Sequence, residues 1–316
     1  MMKDLRIVFM GTPSFAVEVL KTLVEADFNI VGVITAPDKP AGRGRKLSQS
    51  AVKEYAVEAG LKVLQPTNLK SDAFLEELRE LRANLQIVVA FRMLPQVVWA
   101  MPEHGTFNLH ASLLPDYRGA APINWAIIKG EKTSGVTTFF IDDKIDTGAI
   151  ILKEEVKLDS HETAGSLHDK LMKQGSELVL KTVELISEGT IETKVQGELD
   201  SRKEAPKLTP ENTRINWNAP AETIERFIRG LNPYPVAWTL LQTAGEEEKV
   251  KIYRAEYELS DHHCDPGAII TSKNELKIAC SDGFLKVLEL QLPGKRKMKT
   301  ADLLNGYNFP PDAKVV

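Results

Sequence analysis

Through the first half of the chain, short runs of aliphatic and β-branched residues alternate with longer stretches in which apolar positions recur every three to four residues. The short runs predict strands over residues 5–10, 29–35, 62–64, 86–90, 105–109, 135–141 and 149–156. The longer stretches predict helices over 15–26, 50–59, 71–81, from Pro95 to near Met101, 121–128 and 163–187. Thr12 is placed to cap the first helix with Pro13 as its first residue, and Ser71 to cap the third. Strands and helices in this alternation predict an α/β fold, a Rossmann-like, doubly wound, mostly parallel sheet whose ligands sit at the carboxyl ends of the strands. The first βα turn offers only Gly11 where a dinucleotide site needs G-x-G-x-x-G, so the architecture comes without the pyrophosphate cradle.

Periodicity fails over 190–206, which reads as a linker between a first domain, 1–189, and a second, 207–316. In the second domain Ile215-Asn216-Trp217 is extended and 221–230 helical. Short strands follow at 236–241, 250–255, 267–271, 276–279 and 285–290, then a helix at 300–304. Strands this short, separated by turn signals, predict a small OB-like β-barrel.

The composition, 43% hydrophobic and 27% charged over 316 residues, is that of an ordinary globular protein. No apolar run reaches the roughly 18 residues of a membrane span, and the short run after Asp4 lacks the features of a signal peptide. Cys264 and Cys280 are the only cysteines, which argues against a disulfide scaffold and suits a reducing, cytoplasmic setting. A net charge of -4 gives no global sign of a nucleic-acid binder, so a polyanion would have to be held locally. Two patches qualify: the Pro/Gly-punctuated loop with Lys39, Arg43, Arg45 and Lys46, and the run Lys295-Arg296-Lys297-Met298-Lys299.

Candidate chemistry is concentrated in Asn108-Leu109-His110-Ala111-Ser112-Leu113-Leu114-Pro115-Asp116-Tyr117-Arg118-Gly119. On a strand, residues two apart share a face, so Asn108 and His110 project into one crevice. An amide can donate to an oxyanion, and an imidazole can carry a proton near neutral pH. Asp146 in Asp-Thr-Gly is either an orienting anion for His110 or a turn residue with local bonds only. An aspartic protease would need a second such carboxylate, and only one copy is present. His262-His263-Cys264-Asp265 is too tightly spaced for one ion, and no metal is expected. His168 falls on a helix and reads as packing.

The central motif, with Asp146-Thr147-Gly148 downstream, resembles the formyltransferase family that uses 10-formyltetrahydrofolate. Phe9-Met10-Gly11-Thr12-Pro13, Pro37-Asp38-x-Pro40-x-Gly42-Arg43-Gly44, Ala120-Ala121-Pro122-Ile123, Lys207-Leu208-Thr209 and Ile228-Arg229-Gly230-Leu231-Asn232-Pro233-Tyr234-Pro235-Val236-Ala237-Trp238 resemble the branch that formylates methionyl initiator tRNA. The likeness covers nearly the whole chain in order. It departs at Ala90-Phe91-Arg92-Met93-Leu94-Pro95, one residue shorter than the family's segment and without its glycine. The resemblance implies Asn108, His110 and Asp146 as catalytic residues and Ser112, Leu113, Leu114 and Pro115 as folate-lining residues. It also implies Arg43, Arg45, Lys46, Lys295, Arg296 and Lys297 as tRNA contacts, a tRNA-binding second domain, and a chain acting as a monomer. A formyltransferase for small amines and a non-catalytic RNA-binding scaffold are the rival expectations.

Overall fold

The strand at Arg6–Gly11 (β1) is buried along nearly its whole length, and its apolar residues leave it no solvent-facing side. Such a strand belongs in the middle of a sheet covered on both faces. The computed structural model, which describes residues 4–41, 46–198, 200–243 and 245–316, places it there. The first sheet also contains β2 (Asn29–Ile34), β5 (Val63–Leu64), β6 (Leu85–Val89), β7 (Thr106–His110), β8 (Thr133–Phe140) and β9 (Ile150–Lys157), in the order β5-β2-β1-β6-β7-β8-β9. A small hairpin of β3 (Lys39–Ala41) and β4 (Lys46–Ser48) stands apart, within the stretch read as loop.

β5, β2, β1, β6 and β7 run parallel, and β8 turns antiparallel to β7. Strand order reverses beside β1, with β2 on one side and β6 on the other, the place where open α/β sheets leave a crevice at their carboxyl ends. The helices α1 (Ser14–Glu25), α2 (Ala51–Glu58), α3 (Asp72–Glu80) and α4 (Gln96–Trp99) connect the parallel strands. After α5 (Pro122–Ile128) comes the long α6 (Ala164–Glu188). Gly175 of α6 lies so close to Leu109 of β7 that a Cβ would stand 2.8 Å from its side chain, and Thr182 bonds Thr138 of β8 at 2.9 Å.

Two helix starts differ from expectation. α1 begins at Ser14 with Pro13, extended, in the capping position and no side-chain cap from Thr12. Proline has no N–H to satisfy, and its carbonyl already accepts from Ala16 at 3.0 Å, so the turn closes without a hydroxyl. Ser71 does precede α3, but its hydroxyl donates to the Asn68 carbonyl at 3.1 Å instead of accepting from the helix.

The chain separates into two compact units, one of residues 1–119, 133–156 and 168–204 and one of 120–132, 157–167 and 205–316. The second is built on α7 (Ala221–Leu231) and on β10 (Ala237–Thr243), β11 (Glu246–Leu259), β12 (Ile269–Thr271), β13 (Leu276–Ala279) and β14 (Gly283–Gln291). The short β15 (Met298–Lys299), α8 (Thr300–Leu304) and β16 (Lys314–Val315) complete it. The strands form an antiparallel sheet in the order β12-β13-β14-β11-β10-β16, and a bridge from Ala268 to Lys314 joins its two edges into a nearly closed barrel. β11 exceeds its predicted length because its charged start, Glu246 to Lys249, pairs with β10 in a hairpin that apolar patterning does not mark. α7 buries Ala221, Ile224, Ile228 and Leu231 on one stripe against this barrel's core. Its first N–H, on Ala221, is capped by the Asp282 carboxylate at 2.7 Å. Ile215 donates its N–H to the Trp238 carbonyl, and the Trp217 ring is buried with its Nε1 donating to Thr239 at 2.9 Å. Among the described residues no helix is long and apolar enough to cross a membrane.

Candidate active site

Asn108 and His110 lie at the end of β7, the first opposite Val88 and Phe139, the second opposite Thr137. Their spacing puts both on one face at the carboxyl end of the parallel strands. Asn108 is half-buried, and its amide has no hydrogen-bond partner among the described residues. His110 is only 7% exposed. Its Nε2 donates to the Tyr117 carbonyl at 2.9 Å, and its Nδ1 faces Oδ2 of Asp146 at 3.8 Å. A carbonyl only accepts, so Nε2 carries a proton, and a second proton on Nδ1 would point at a carboxylate. Both ring nitrogens thus face acceptor groups.

Asp146 takes a left-handed backbone, φ 55°, which aspartate tolerates better than most L residues. Its Oδ2 accepts from the Gly119 N–H at 3.0 Å, so one oxygen is held by the backbone and faces His110. Asp146 thus combines the backbone bond of a turn residue with a carboxylate that faces the imidazole. The glycine of Asp-Thr-Gly is a steric requirement: a Cβ on Gly148 would stand 1.7 Å from the Phe140 carbonyl oxygen.

The loop from Ala111 to Gly119 is tied to the sheet beneath it. Thr137 accepts from the Leu114 N–H at 3.2 Å and donates to the Ser112 carbonyl at 2.6 Å, and the Lys153 ammonium donates to the Leu114 carbonyl. Leu114 is fully buried with Phe139 and Ile150, and the Ser112 hydroxyl donates to the Asp116 carbonyl at 2.6 Å. Of the four residues expected to line the folate, Leu113 and Pro115 are half-buried, whereas Ser112 and Leu114 are buried within the loop.

The predicted basic contacts fall on two separate stretches of the sequence. Arg43 and Arg45 lie outside the described residues, and Lys46 opens β4. Asp38, the lone acid of that loop, is turned inward: it accepts from Lys53 at 2.6 Å and Gln65 at 2.8 Å. Those bonds, Gln65 first, hold its carboxyl below the usual carboxylate range. Lys295, Arg296 and Lys297 are exposed. Lys297 is paired with Glu289 at 3.2 Å, and Lys295 lies over the Tyr307 ring at 5.4 Å.

Burial pushes the Cys280 thiol up to about 12, which removes it as a thiolate. His262 bonds the Gly283 carbonyl at 2.9 Å, and among the described residues no group of three or more His, Cys, Asp or Glu could hold a metal. A cavity of about 940 Å³ in the second unit, lined partly by α7 and β11, contains internally paired charges, Arg226 with Glu222 and Arg229 with Glu225. None of the predicted site residues lines it.

Residues 5–183 match the family model described as formyl transferase, and residues 207–308 match the formyl transferase C-terminal domain. A methionyl-tRNA formyltransferase from Flavobacterium johnsoniae is 56% identical over 314 residues, 99% of this chain and 100% of that protein. One from Bacteroides fragilis is 53% identical, covering 97% of this chain and 96% of that protein.

The chain belongs to the methionyl-tRNA formyltransferase family.

Among solved structures, an N-formyltransferase from Helicobacter canadensis in complex with folinic acid and dTDP-3-aminofucose aligns with a TM-score of 0.65 at 22% identity, over 90% of this chain and 98% of that one. HypX from Aquifex aeolicus in complex with tetrahydrofolic acid gives 0.64 at 20% identity, over 96% of this chain and 47% of that one. At such identities the likeness concerns the fold alone.

Several residues of the site escaped sequence reasoning. Tyr117 supplies the carbonyl that orients His110, and Gly119 the N–H that holds Asp146. The stretch expected as a linker contributes Gln196, bonded to the Asp146 carbonyl at 3.0 Å, and Lys203, paired with Asp116 at 2.8 Å while its carbonyl accepts from Tyr117. Backbone donors and acceptors carry no residue-type signature, and an isolated glutamine in a polar stretch carries none either.

Proposed function

We propose that this chain transfers a formyl group from 10-formyltetrahydrofolate to the α-amino group of methionyl initiator tRNA, producing N-formylmethionyl-tRNA for translation initiation. Near-full-length relatives that bear the name methionyl-tRNA formyltransferase support the acceptor. The chemistry rests on one observation: an Asn108 amide with no hydrogen-bond partner among the described residues shares a strand face with a histidine whose two ring nitrogens face the Tyr117 carbonyl and Asp146.

The methionyl amine has a reference pKa of about 7.7–8.0, so a substantial part is neutral and nucleophilic near pH 7.5. Its attack on the formyl carbon forms a C–N bond and a tetrahedral oxyanion. Asn108 donates a hydrogen bond to that oxygen, and the His110 imidazolium adds positive charge beside it. Asp146, held by Gly119, keeps the ring in place and balances its charge. The intermediate collapses by breaking the bond from the formyl carbon to N10. The amine gives up one proton and N10 takes one, so the step needs no net acid or base. Leu113 and Pro115 contact the folate, with Ser112 and Leu114 setting the loop. Arg43, Arg45 and Lys46, and Lys295, Arg296 and Lys297 in the second unit, meet tRNA phosphates, which allows a net-acidic chain to hold a polyanion. Every group named lies on one chain, so a monomer suffices.

The reading is tested by offering 10-formyltetrahydrofolate with either methionyl initiator tRNA or free methionine and amino sugars, for the parent and Asn108→Ala. Formylation of the tRNA, with kcat about 10²–10³-fold lower in the variant, is expected. Transfer to small amines with indifference to tRNA would replace the acceptor, and an unaffected variant would remove Asn108.

A further inference from the structure

Every polar atom of the Gln196 carboxamide is engaged. Nε2 donates to the carbonyls of Asp146 at 3.0 Å and Gly148 at 2.8 Å. Oε1 accepts from the Arg118 guanidinium, from Nη2 at 2.6 Å and Nε at 3.2 Å. Arg118 also donates from Nε to the Asp146 carbonyl at 3.0 Å and from Nη2 to the Gly197 carbonyl at 3.3 Å. The surroundings leave the amide one orientation, since turning it over would set two carbonyl oxygens against its oxygen and its NH₂ against a cation.

This arrangement acts on the catalytic aspartate. Residues 142–149 form a turn outside regular structure, so no ladder fixes the Asp146 peptide, and its left-handed φ of 55° has to be stabilised by neighbours. Two donors on its carbonyl, from Gln196 and Arg118, set the direction of that peptide. Gly119, the residue after Arg118, holds the carboxylate itself. The turn bearing Asp146 and the loop that orients His110 are therefore joined through one guanidinium and one carboxamide.

We propose that Gln196 is a positioning residue for catalysis: its carboxamide ties the Asp146 and Gly148 carbonyls to Arg118 and so aims the Asp146 carboxylate at His110. The inference deepens the proposed function and rests on its reading of Asp146. It also gives the segment after α6 a part in the chemistry, beyond that of a connection.

The test is a double-mutant cycle with kcat, KM for both substrates and melting temperature measured throughout. Gln196→Ala is expected to lower kcat about tenfold or more, because a small misplacement of a catalytic group is costly, with both KM values within about twofold. Gln196→Glu keeps an acceptor for Arg118, and so the fold, but sets an oxygen against the two carbonyls, and kcat is expected to fall likewise. In an Asp146→Asn background either substitution should cost less than about twofold more, since a residue acting through Asp146 has nothing left to position. Parental kcat in Gln196→Ala, a change confined to KM, or the same fractional loss in both backgrounds would overturn the proposal. If Asp146→Asn alone keeps the parental rate, the reading of Asp146 fails and the role of Gln196 goes with it.

Discussion

In the barrel of the second unit, the side chains that matter to folding sit on regular ladders. Leu241, Ile252, Ile278 and Val287 point inward at alternate positions, α7 lays one apolar stripe on them, and the outer face carries exposed pairs such as Lys277 with Glu258. At the carboxyl end of the first sheet Asn108 and His110 occupy the last ladder positions of β7, and the residues around them lie just past the ladders. Ala90, Tyr117 and Asp146 adopt left-handed backbones there, and short polar ties hold the turns together. A barrel of this kind loses stability in proportion to what is removed from its core, whereas a site held by single hydrogen bonds can lose its function while the fold stands. The two regions should therefore respond to substitution in opposite ways.

The largest effect is expected where the two kinds of support coincide. Gly148→Ala drives a methyl into the Phe140 carbonyl at the end of β8, so the turn must move. Both activity and melting temperature should fall, as seen by formyl transfer and by circular dichroism on heating. Next comes His110→Ala, expected to lower kcat about 10²–10³-fold with the melting temperature nearly unchanged. A large loss of stability instead would mean that the buried imidazole serves the fold.

Smaller effects separate binding from catalysis and the barrel from the site. Neutralising Arg43 and Arg45 together should raise KM for tRNA and leave KM for the folate alone. The salt dependence of binding should also flatten, its logarithmic slope shrinking by roughly 0.9 for each phosphate that no longer meets a cation. An unchanged salt slope would remove that loop from the interface. In the barrel, Thr239→Val strips the buried Trp217 Nε1 of its acceptor and should cost about 1–3 kcal/mol in denaturant unfolding, with kcat unaltered. A matching fall in kcat would deny that the regions respond separately.

The same contrast explains what was legible in the chain. Buried strands such as β1 and β6, the spacing of Asn108 and His110, and the stripe on α7 are periodic signals, and they appear where periodicity places them. β15 and β16, each two residues long, are too short to show a period, although β16 closes the barrel. The expected Thr12 cap does not form because a proline at the capping position changes which groups need a partner. In the site, Asp146 was readable as one of two alternatives, an anion beside His110 or a turn residue, but its bonds to Gly119 and Gln196 were not. Gly119 acts through its backbone, and Gln196 comes from a stretch whose polarity reads as solvent exposure.

The most direct measurement of the central claim is formyl transfer from 10-formyltetrahydrofolate to methionyl initiator tRNA, resolved on acid gels, with the parent and His110→Ala run side by side at equal folded concentration. The parent is predicted to produce N-formylmethionyl-tRNA and the variant to lag it by at least about a hundredfold. A folded parent that transfers nothing, or a variant that keeps pace with it, would contradict the account.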